Sequence, residues 1–83
     1  MKITVKYFAS IRELIGQGAE PVDTAATTLQ ALRDELIARG GAYDEALARG
    51  KAVRVALNQV MSAESVALTD GAEVAFFPPV TGG

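Results

Sequence analysis

The sequence predicts one α+β domain, in which a mixed β-sheet packs against one main helix. Two observations predict this class: β-type runs stand near both ends of the chain, at residues 2–8 and 73–77, and an amphipathic helical segment that ends at Gly40 lies between them. The chain has 83 residues, which is the size of one small domain, and 49% of them are apolar, so that a core can form.

The first third of the chain predicts a strand, a helical turn and a weak second strand. Residues 2–8 alternate between polar and apolar with the period of a half-buried strand, except that Phe8 places an aromatic ring on the polar side. The segment Ser10–Glu13 has the spacing of a capping box and predicts a short helical turn that Gly16 ends. A weak strand follows around residues 20–24.

The main helix is predicted to begin at Thr27 or Thr28, with Thr27 and Gln30 at capping-box spacing, and to end at Gly40. A shorter helix is predicted over residues 42–49. The apolar stripe of the main helix has the spacing of a core-facing surface rather than of a cofactor site, and consists of Leu29, Leu32, Leu36 and Ile37.

The last third of the chain predicts strands separated by turns. Residues 53–57 are β-type, and Asn58-Gln59 forms a turn into Val60-Met61, since asparagine tolerates the backbone of tight hairpins. Residues 69–71 form another turn before the strand at 73–77. This order of elements predicts that the first and last strands pair in parallel at the centre of the sheet, which is the β-grasp arrangement of ubiquitin.

We therefore divide the chain into a β-grasp domain, residues 1–77, and a flexible, extended C-terminal tail, residues 78–83. Pro78 and Pro79 end the last strand, because proline has no N–H for the ladder, and their fixed φ favours a stiff exit. Extended at about 3.3 Å per residue, the tail reaches roughly 20 Å, far enough to enter a deep pocket on another protein.

The end of the tail suits chemistry at a carboxylate. Gly82 and Gly83 have no Cβ atoms, so a narrow channel can close around the backbone while the terminal carboxylate stays unhindered. A free carboxylate is a poor electrophile, but an adenylating enzyme can convert it into a mixed anhydride that a sulfur nucleophile attacks.

Composition excludes several classes of function. The sequence has no Cys and no His, which excludes disulfides, thiolate metal sites and Ser-His or Cys-His catalysis, and we expect no metal site. The net charge is −2 and the eight Lys and Arg residues are scattered, so we expect no nucleic-acid partner. No signal-peptide or membrane-spanning segment is visible, so the expected location is cytoplasmic.

The final fourteen residues, Asp70–Gly83, closely resemble the small, sulfur-carrying subunits of molybdopterin synthase, a ubiquitin-related family. The segments Tyr7–Leu14 and Val55–Gln59 look like the same family. The resemblance implies that an adenylyltransferase similar to ubiquitin-activating enzymes uses ATP to adenylate Gly83, which is then converted to a thiocarboxylate. AMP and sulfur are thus attached only transiently, and no cofactor is bound permanently.

The resemblance also implies partners and contact residues. The tail would insert into the large, catalytic subunit of molybdopterin synthase, with which the chain would form a heterotetramer. Its sulfur would pass to a pterin precursor to build the dithiolene. The chain alone would not be catalytic. The residues implied to contact partners are Phe8, Arg12, Met61 and Phe77 with Pro78, Pro79, Val80 and Thr81 of the tail.

Four of these residues can be weighed on the sequence itself. Adjacent residues of a strand face opposite sides, so one of Phe76 and Phe77 should lie in the core and the other should be exposed. An exposed Phe77 beside Phe8 and Met61 would form an apolar contact patch, whereas the alternative is that all three are core residues. Arg12 is a candidate to pair with an acidic partner residue, although such an arginine is more often a solvated surface charge.

Three other functions stay open on the sequence. A related carrier supplies sulfur for thiazole formation, but such chains are usually shorter and lack the Phe-Phe-Pro-Pro-Val-Thr stretch. A ubiquitin-like protein modifier would use the same activation chemistry and transfer Gly83 to target lysines. A β-grasp interaction module would have an unreactive tail.

Overall fold

The chain folds into a five-stranded sheet and three helices in the computed structural model, which describes residues 1–79. In chain order the elements are β1 (Lys2–Tyr7), α1 (Ala9–Ile15), β2 (Ala19–Asp23), α2 (Leu29–Ile37), α3 (Gly41–Leu47), β3 (Arg54–Leu57), β4 (Val60–Ser62) and β5 (Glu73–Phe77).

The sheet has the strand order β2-β1-β5-β3-β4. The first and last strands are its parallel central pair, with Thr4 opposite Glu73 and Tyr7 opposite Phe76, and the other neighbours are antiparallel. The prediction of a mixed sheet with β1 and β5 paired in parallel is therefore confirmed, as is the α+β, β-grasp class.

The core lies between the helices and one face of the sheet. The alternation predicted for β1 is observed, since Ile3, Val5 and Tyr7 are buried on that face. The helix α2 contributes the predicted apolar stripe, although Ile37 is only partly buried at its end. The largest fully buried side chains are Tyr7, Phe76, Leu29, Leu32, Leu36, Leu47, Val5 and Val74.

Both predicted capping boxes are wrong, because each helix begins at a neighbouring residue. Thr28 caps α2, with its side-chain oxygen accepting from the backbone N–H of Ala31 at 3.1 Å. Phe8 is the N-cap of α1 and makes no side-chain cap, which places Ser10 inside the helix. The predicted stop at Gly16 is confirmed, and this residue has the left-handed φ of 88° that glycine accepts easily.

The main helix also ends earlier than predicted. It stops at Ile37. The backbone from there to Gly40 forms hydrogen bonds between residues three apart, as in a 3₁₀ turn: Arg39 N–H donates to Leu36 O, and Gly40 N–H donates to Ile37 O. The turn between β3 and β4 agrees with the prediction: Asn58 and Gln59 have φ values of 49° and 70°, as the tight hairpin turn with two left-handed residues requires.

The half-buried carboxylate of Glu20, on β2, connects β1, the segments that follow α1 and α2, and α3. Glu20 accepts hydrogen bonds from Tyr7, Gln17, Arg39 and Tyr43 at 2.6–3.1 Å. Burial alone would raise the pKa of Glu20, but the hydrogen bonds from Tyr43, Arg39 and Tyr7 outweigh it and hold the pKa below its ordinary value. Burial, followed by the bond to Glu20, raises the pKa of Tyr7, which therefore stays protonated as the donor.

A buried arginine organises the segment between α3 and β3. The Arg33 guanidinium is 4% exposed and donates to the carbonyls of Leu47, Ala48 and Lys51 at 2.8–3.1 Å. It also pairs with Glu64 at 2.8 Å. The bond to Leu47 satisfies a carbonyl that the end of α3 leaves without a helical donor. The bonds to Ala48 and Lys51 hold the backbone that leads into β3.

Candidate functional site at the root of the C-terminal tail

The face of the sheet that points away from the helices carries the candidate site. Strand register places Lys6, Ala75, Ala56 and Met61 in one row across β1, β5, β3 and β4. Paired residues of neighbouring strands lie on the same face. The two alanines are buried although they are outside the helix-facing core, since the longer side chains around them cover them. The middle of this face is therefore a shallow trough.

A second row, nearer the end of β5, consists of Phe8, Phe77 and Arg54. Arg54 is the register partner of Phe77. Phe8 follows β1 with an extended backbone, and its N–H donates to Phe76 O at 3.2 Å, which carries the parallel pairing one residue past the strand. Its ring consequently stacks on Phe77, with ring centroids 4.6 Å apart and planes 9° from parallel.

These side chains border a cavity of about 470 Å³, which we call the apolar groove. Phe8 is 39% exposed and Met61 is 54% exposed, while Phe77 is half-buried and Phe76 is fully buried. The prediction that one of the adjacent phenylalanines lies in the core is confirmed for Phe76, but Phe77 is half-buried rather than exposed as expected. The alternative that Phe8, Met61 and Phe77 are all core is wrong. The apolar groove is lined by Phe8, Ala9, Arg54, Met61, Phe77, Pro78 and Pro79.

A second cavity, of about 420 Å³, lies on the other side of the tail root, and we call it the helix-side groove. Pro78 and Pro79 border both cavities, so the start of the tail runs between them. A protein that grips the tail at this point therefore meets the apolar groove on one side. On the other side it meets residues of α1, of α3 and of the segment before β3, namely Ser10, Ile11, Leu14, Ala46, Gly50, Lys51, Ala52 and Val53.

Arg12 and the end of the tail are the remaining predicted contact residues. Arg12 is exposed on α1 and borders neither groove; a Cβ atom on Gly18 would lie 3.1 Å from its guanidinium carbon, so its side chain runs past the backbone there. The tail predictions on Val80, Thr81, Gly82 and Gly83 lie outside the described residues.

Sequence reasoning missed two residues of the apolar groove. Ala9 has a φ of 50°, a left-handed backbone that turns the chain sharply from β1 into α1 and that is uncommon for a residue with a Cβ atom. Arg54 alternates with buried Val55 and therefore belongs to the outer face, a signal that was present in the sequence. Its position beside Phe77 depends on the pairing of β3 with β5, which the sequence did not specify.

The chemistry of the described residues is that of a contact surface. Within residues 1–79, no group of three or more acidic, His or Cys side chains is arranged to hold a metal ion. No helix in this part of the chain is long and apolar enough to cross a membrane. Exposed aromatic and thioether side chains around a small trough, with one guanidinium at the edge, are the composition of a protein-binding patch.

Comparison with curated proteins finds full-length relatives. The chain is 46% identical over 81 residues to the molybdopterin synthase sulfur carrier subunit of Escherichia coli (strain K12), and 42% identical over 81 residues to the protein of that name from Haemophilus influenzae. Each alignment covers 98% of this chain and 99% of the relative.

Comparison with solved structures finds the same fold. The small archaeal modifier protein 1 of Haloferax volcanii superposes with a TM-score of 0.76 at 26% identity, over 95% of this chain and 98% of that one. A chain from the complex of subunits 1 and 2 of the molybdopterin-converting factor of Helicobacter pylori superposes with a TM-score of 0.69 at 26% identity, over the full length of both chains. Because the model of the ThiS family matches residues 5–83, and the curated relatives match over nearly their whole length, the chain belongs to the ThiS family.

Proposed function

We propose that this protein is the sulfur-carrying subunit of a molybdopterin synthase. The observation that carries the proposal is the 46% identity to a molybdopterin synthase sulfur carrier subunit along nearly the whole of both chains. The exposed apolar groove at the root of the tail supports it, because a carrier must present its terminus to other proteins. The absence of His and Cys from the sequence also supports a carrier that relies on its partners for catalysis.

The proposed chemistry takes place at the carboxylate of Gly83. On an adenylyltransferase similar to ubiquitin-activating enzymes, the carboxylate oxygen attacks the α-phosphorus of ATP, pyrophosphate leaves, and an acyl adenylate forms. Sulfur at the hydrosulfide level then attacks the carbonyl carbon and displaces AMP, which leaves a thiocarboxylate. In the large subunit this sulfur would form a C–S bond to a pterin precursor, and water would cleave the acyl C–S bond, which returns Gly83 to a carboxylate. AMP and sulfur are thus cargo of Gly83, and the protein needs no resident cofactor.

The described residues supply the docking part of this cycle. Phe8, Met61 and Phe77 would pack against the large subunit, and Pro78 and Pro79 would direct the tail into it as a stiff, extended segment. Val80, Thr81 and Gly82 would occupy the channel of the large subunit, and Gly82 adds no side chain beside the reacting end. Arg12 stays a candidate contact at the periphery, since it borders neither groove. We further propose a heterotetramer with the large subunit and a cytoplasmic location.

Reconstitution of the synthase tests this proposal. Purified chain that has been activated and thiolated is mixed with the large subunit and the pterin precursor, and the dithiolene product is measured. We expect product with the full chain and none after deletion of Gly83, while circular dichroism shows the same fold for both. Product from the chain without Gly83 would contradict the mechanism at the terminal carboxylate.

A second candidate function is protein modification. It is favoured by the likeness, at 26% identity, to a small archaeal modifier protein, whose name states that role. The activation step would be the same, and the acceptor would be a lysine of another protein rather than a pterin precursor. The thiazole-pathway carrier is the remaining alternative. Two measurements separate the three functions. Only a modifier leaves a C-terminal fragment of this chain on a target lysine; after trypsin the fragment is residues 55–83, because Arg54 is the last basic residue. Only a thiazole carrier supports thiazole synthesis in a reconstituted assay.

A further inference from the structure

Arg54 places one positive charge at the edge of an otherwise apolar surface. It lies opposite Phe77 in the pairing of β3 with β5, and it lines the apolar groove together with Met61. Its side chain is exposed on the face of the sheet away from the core. A protein that covers Phe77 and Met61 must therefore also cover, or lie directly beside, this guanidinium.

Two carboxylates on the surface around Arg54 are engaged with other cations. Glu64 borders the next depression along β3 and β4, but its two oxygens pair with Arg33 at 2.8 Å and with Arg49. Glu73, on the same face of the sheet, pairs with Lys6 at 3.1 Å. Within residues 1–79, Arg54 forms no ion pair, and its exposed side chain is accessible to a group from another molecule.

Covering an unpaired guanidinium with an apolar surface removes its water and is strongly unfavourable. A carboxylate is the acceptor that matches the planar, two-pronged geometry of arginine. We propose that the partner docked on the apolar groove, which under the proposed function is the large synthase subunit, presents an Asp or Glu side chain to Arg54. This pair fixes how the carrier is oriented around Phe77, and thus where the tail enters the partner.

Binding of the full chain to the large subunit, measured by calorimetry at low and high salt, tests this pair. We expect Arg54→Gln to weaken binding by about tenfold at low salt, and Arg54→Glu to weaken it further. Both losses should shrink as salt rises, because the attraction in the native complex is screened. One Asp or Glu of the large subunit, when changed to Lys, should restore the affinity of the Arg54→Glu chain.

The matched control is Lys2→Glu, which makes the same change of charge on β1, four positions before Lys6. Wild-type affinity and salt dependence in the Arg54→Glu chain would overturn the proposal, and so would an equal loss in the Lys2→Glu chain. The Arg54 variants are also tested in a chain that lacks residues 80–83. If they no longer weaken binding there, the partner of Arg54 is the chain's own terminal carboxylate, and the proposal is overturned. Failure of the unmodified chain to bind the large subunit at all would instead contradict the proposed function.

Discussion

The rings of Phe8 and Phe77 stack with their centroids 4.6 Å apart, although one residue lies near the start of the chain and the other near its end. The parallel pairing of β1 with β5 brings them together, because parallel strands end at the same edge of a sheet. The start of α1 and the root of the tail therefore meet at one place, and the exposed aromatic surface lies where the tail leaves the domain.

Phe77→Asp should weaken binding to the large synthase subunit by about 2 kcal/mol or more, since a central aromatic anchor would be replaced by a charge. The domain should stay folded, because Phe77 is half-buried on the outer face while Phe76 fills the core. Calorimetric titration gives the affinity, and circular dichroism checks the fold.

Val66→Asp is the control for this variant, because Val66 is also an exposed apolar residue but lies outside the apolar groove. It should bind like the unmodified chain. Equal affinities for Phe77→Asp and the unmodified chain would remove Phe77 from the contact surface.

Arg33→Ala should lower the free energy of unfolding by about 3 kcal/mol, because it leaves the carbonyls of Leu47 and Lys51 without a donor. It also removes one of the two arginine partners of the half-buried Glu64. Arg33→Lys should recover only part of the loss, since one ammonium cannot reproduce the fork of donors. The exposed Arg49 is the comparison, and Arg49→Ala should cost less than about 1 kcal/mol. Urea unfolding of the three variants measures these differences, and equal losses in Arg33→Ala and Arg49→Ala would contradict this role for Arg33.

The Glu20 cluster predicts a loss of stability in acid. Its pKa is lower in the folded protein than its ordinary value of 4.5, so its contribution is complete above that value and is lost as the pH falls through the folded pKa. Glu20→Gln should lower the free energy of unfolding at pH 7 by about 1–2 kcal/mol. It should also flatten the dependence of stability on pH below about pH 5, since Gln does not titrate.

Urea unfolding at a series of pH values measures this dependence. Asp44→Asn is the control, because Asp44 is exposed on α3 and takes no part in the cluster. If the free energy of unfolding falls equally steeply below about pH 5 in Glu20→Gln and in the unmodified chain, Glu20 does not cause the loss of stability in acid.

The arrangement of the elements could be predicted because it is recorded in local patterns. The alternation of β1, the stripe of α2 and the turn at Asn58-Gln59 each fix one element, and together they leave few ways to cover one sheet face with one helix. The exposed Phe8 could be predicted for the same reason, since it breaks an alternation that the structure keeps.

The polar clusters could not be predicted because they join residues distant in sequence. Arg33 occupies a position within α2 that reads as polar surface, and its burial depends on carbonyls beyond α3 and on Glu64, 31 residues away. The capping boxes were misplaced for a different reason. Thr28, one of the two residues at which α2 was predicted to begin, is its cap, so that only the neighbouring threonine was chosen wrongly for the box. The start of α1 is set by Phe8, whose N–H is held by Phe76 at the end of the parallel strand pair.

The most direct test of sulfur carriage is the intact mass of the chain after incubation with ATP, the activating enzyme and a sulfur source, followed by a thiol alkylator. The alkylator is needed because the exchange of oxygen for sulfur adds nearly the same mass as oxidation of Met1 or Met61. Since the sequence has no Cys, a C-terminal thiocarboxylate is the group that should react. We expect one adduct, mapped to Gly83. An unmodified mass, from an activating enzyme that thiolates a known carrier in parallel, would contradict it.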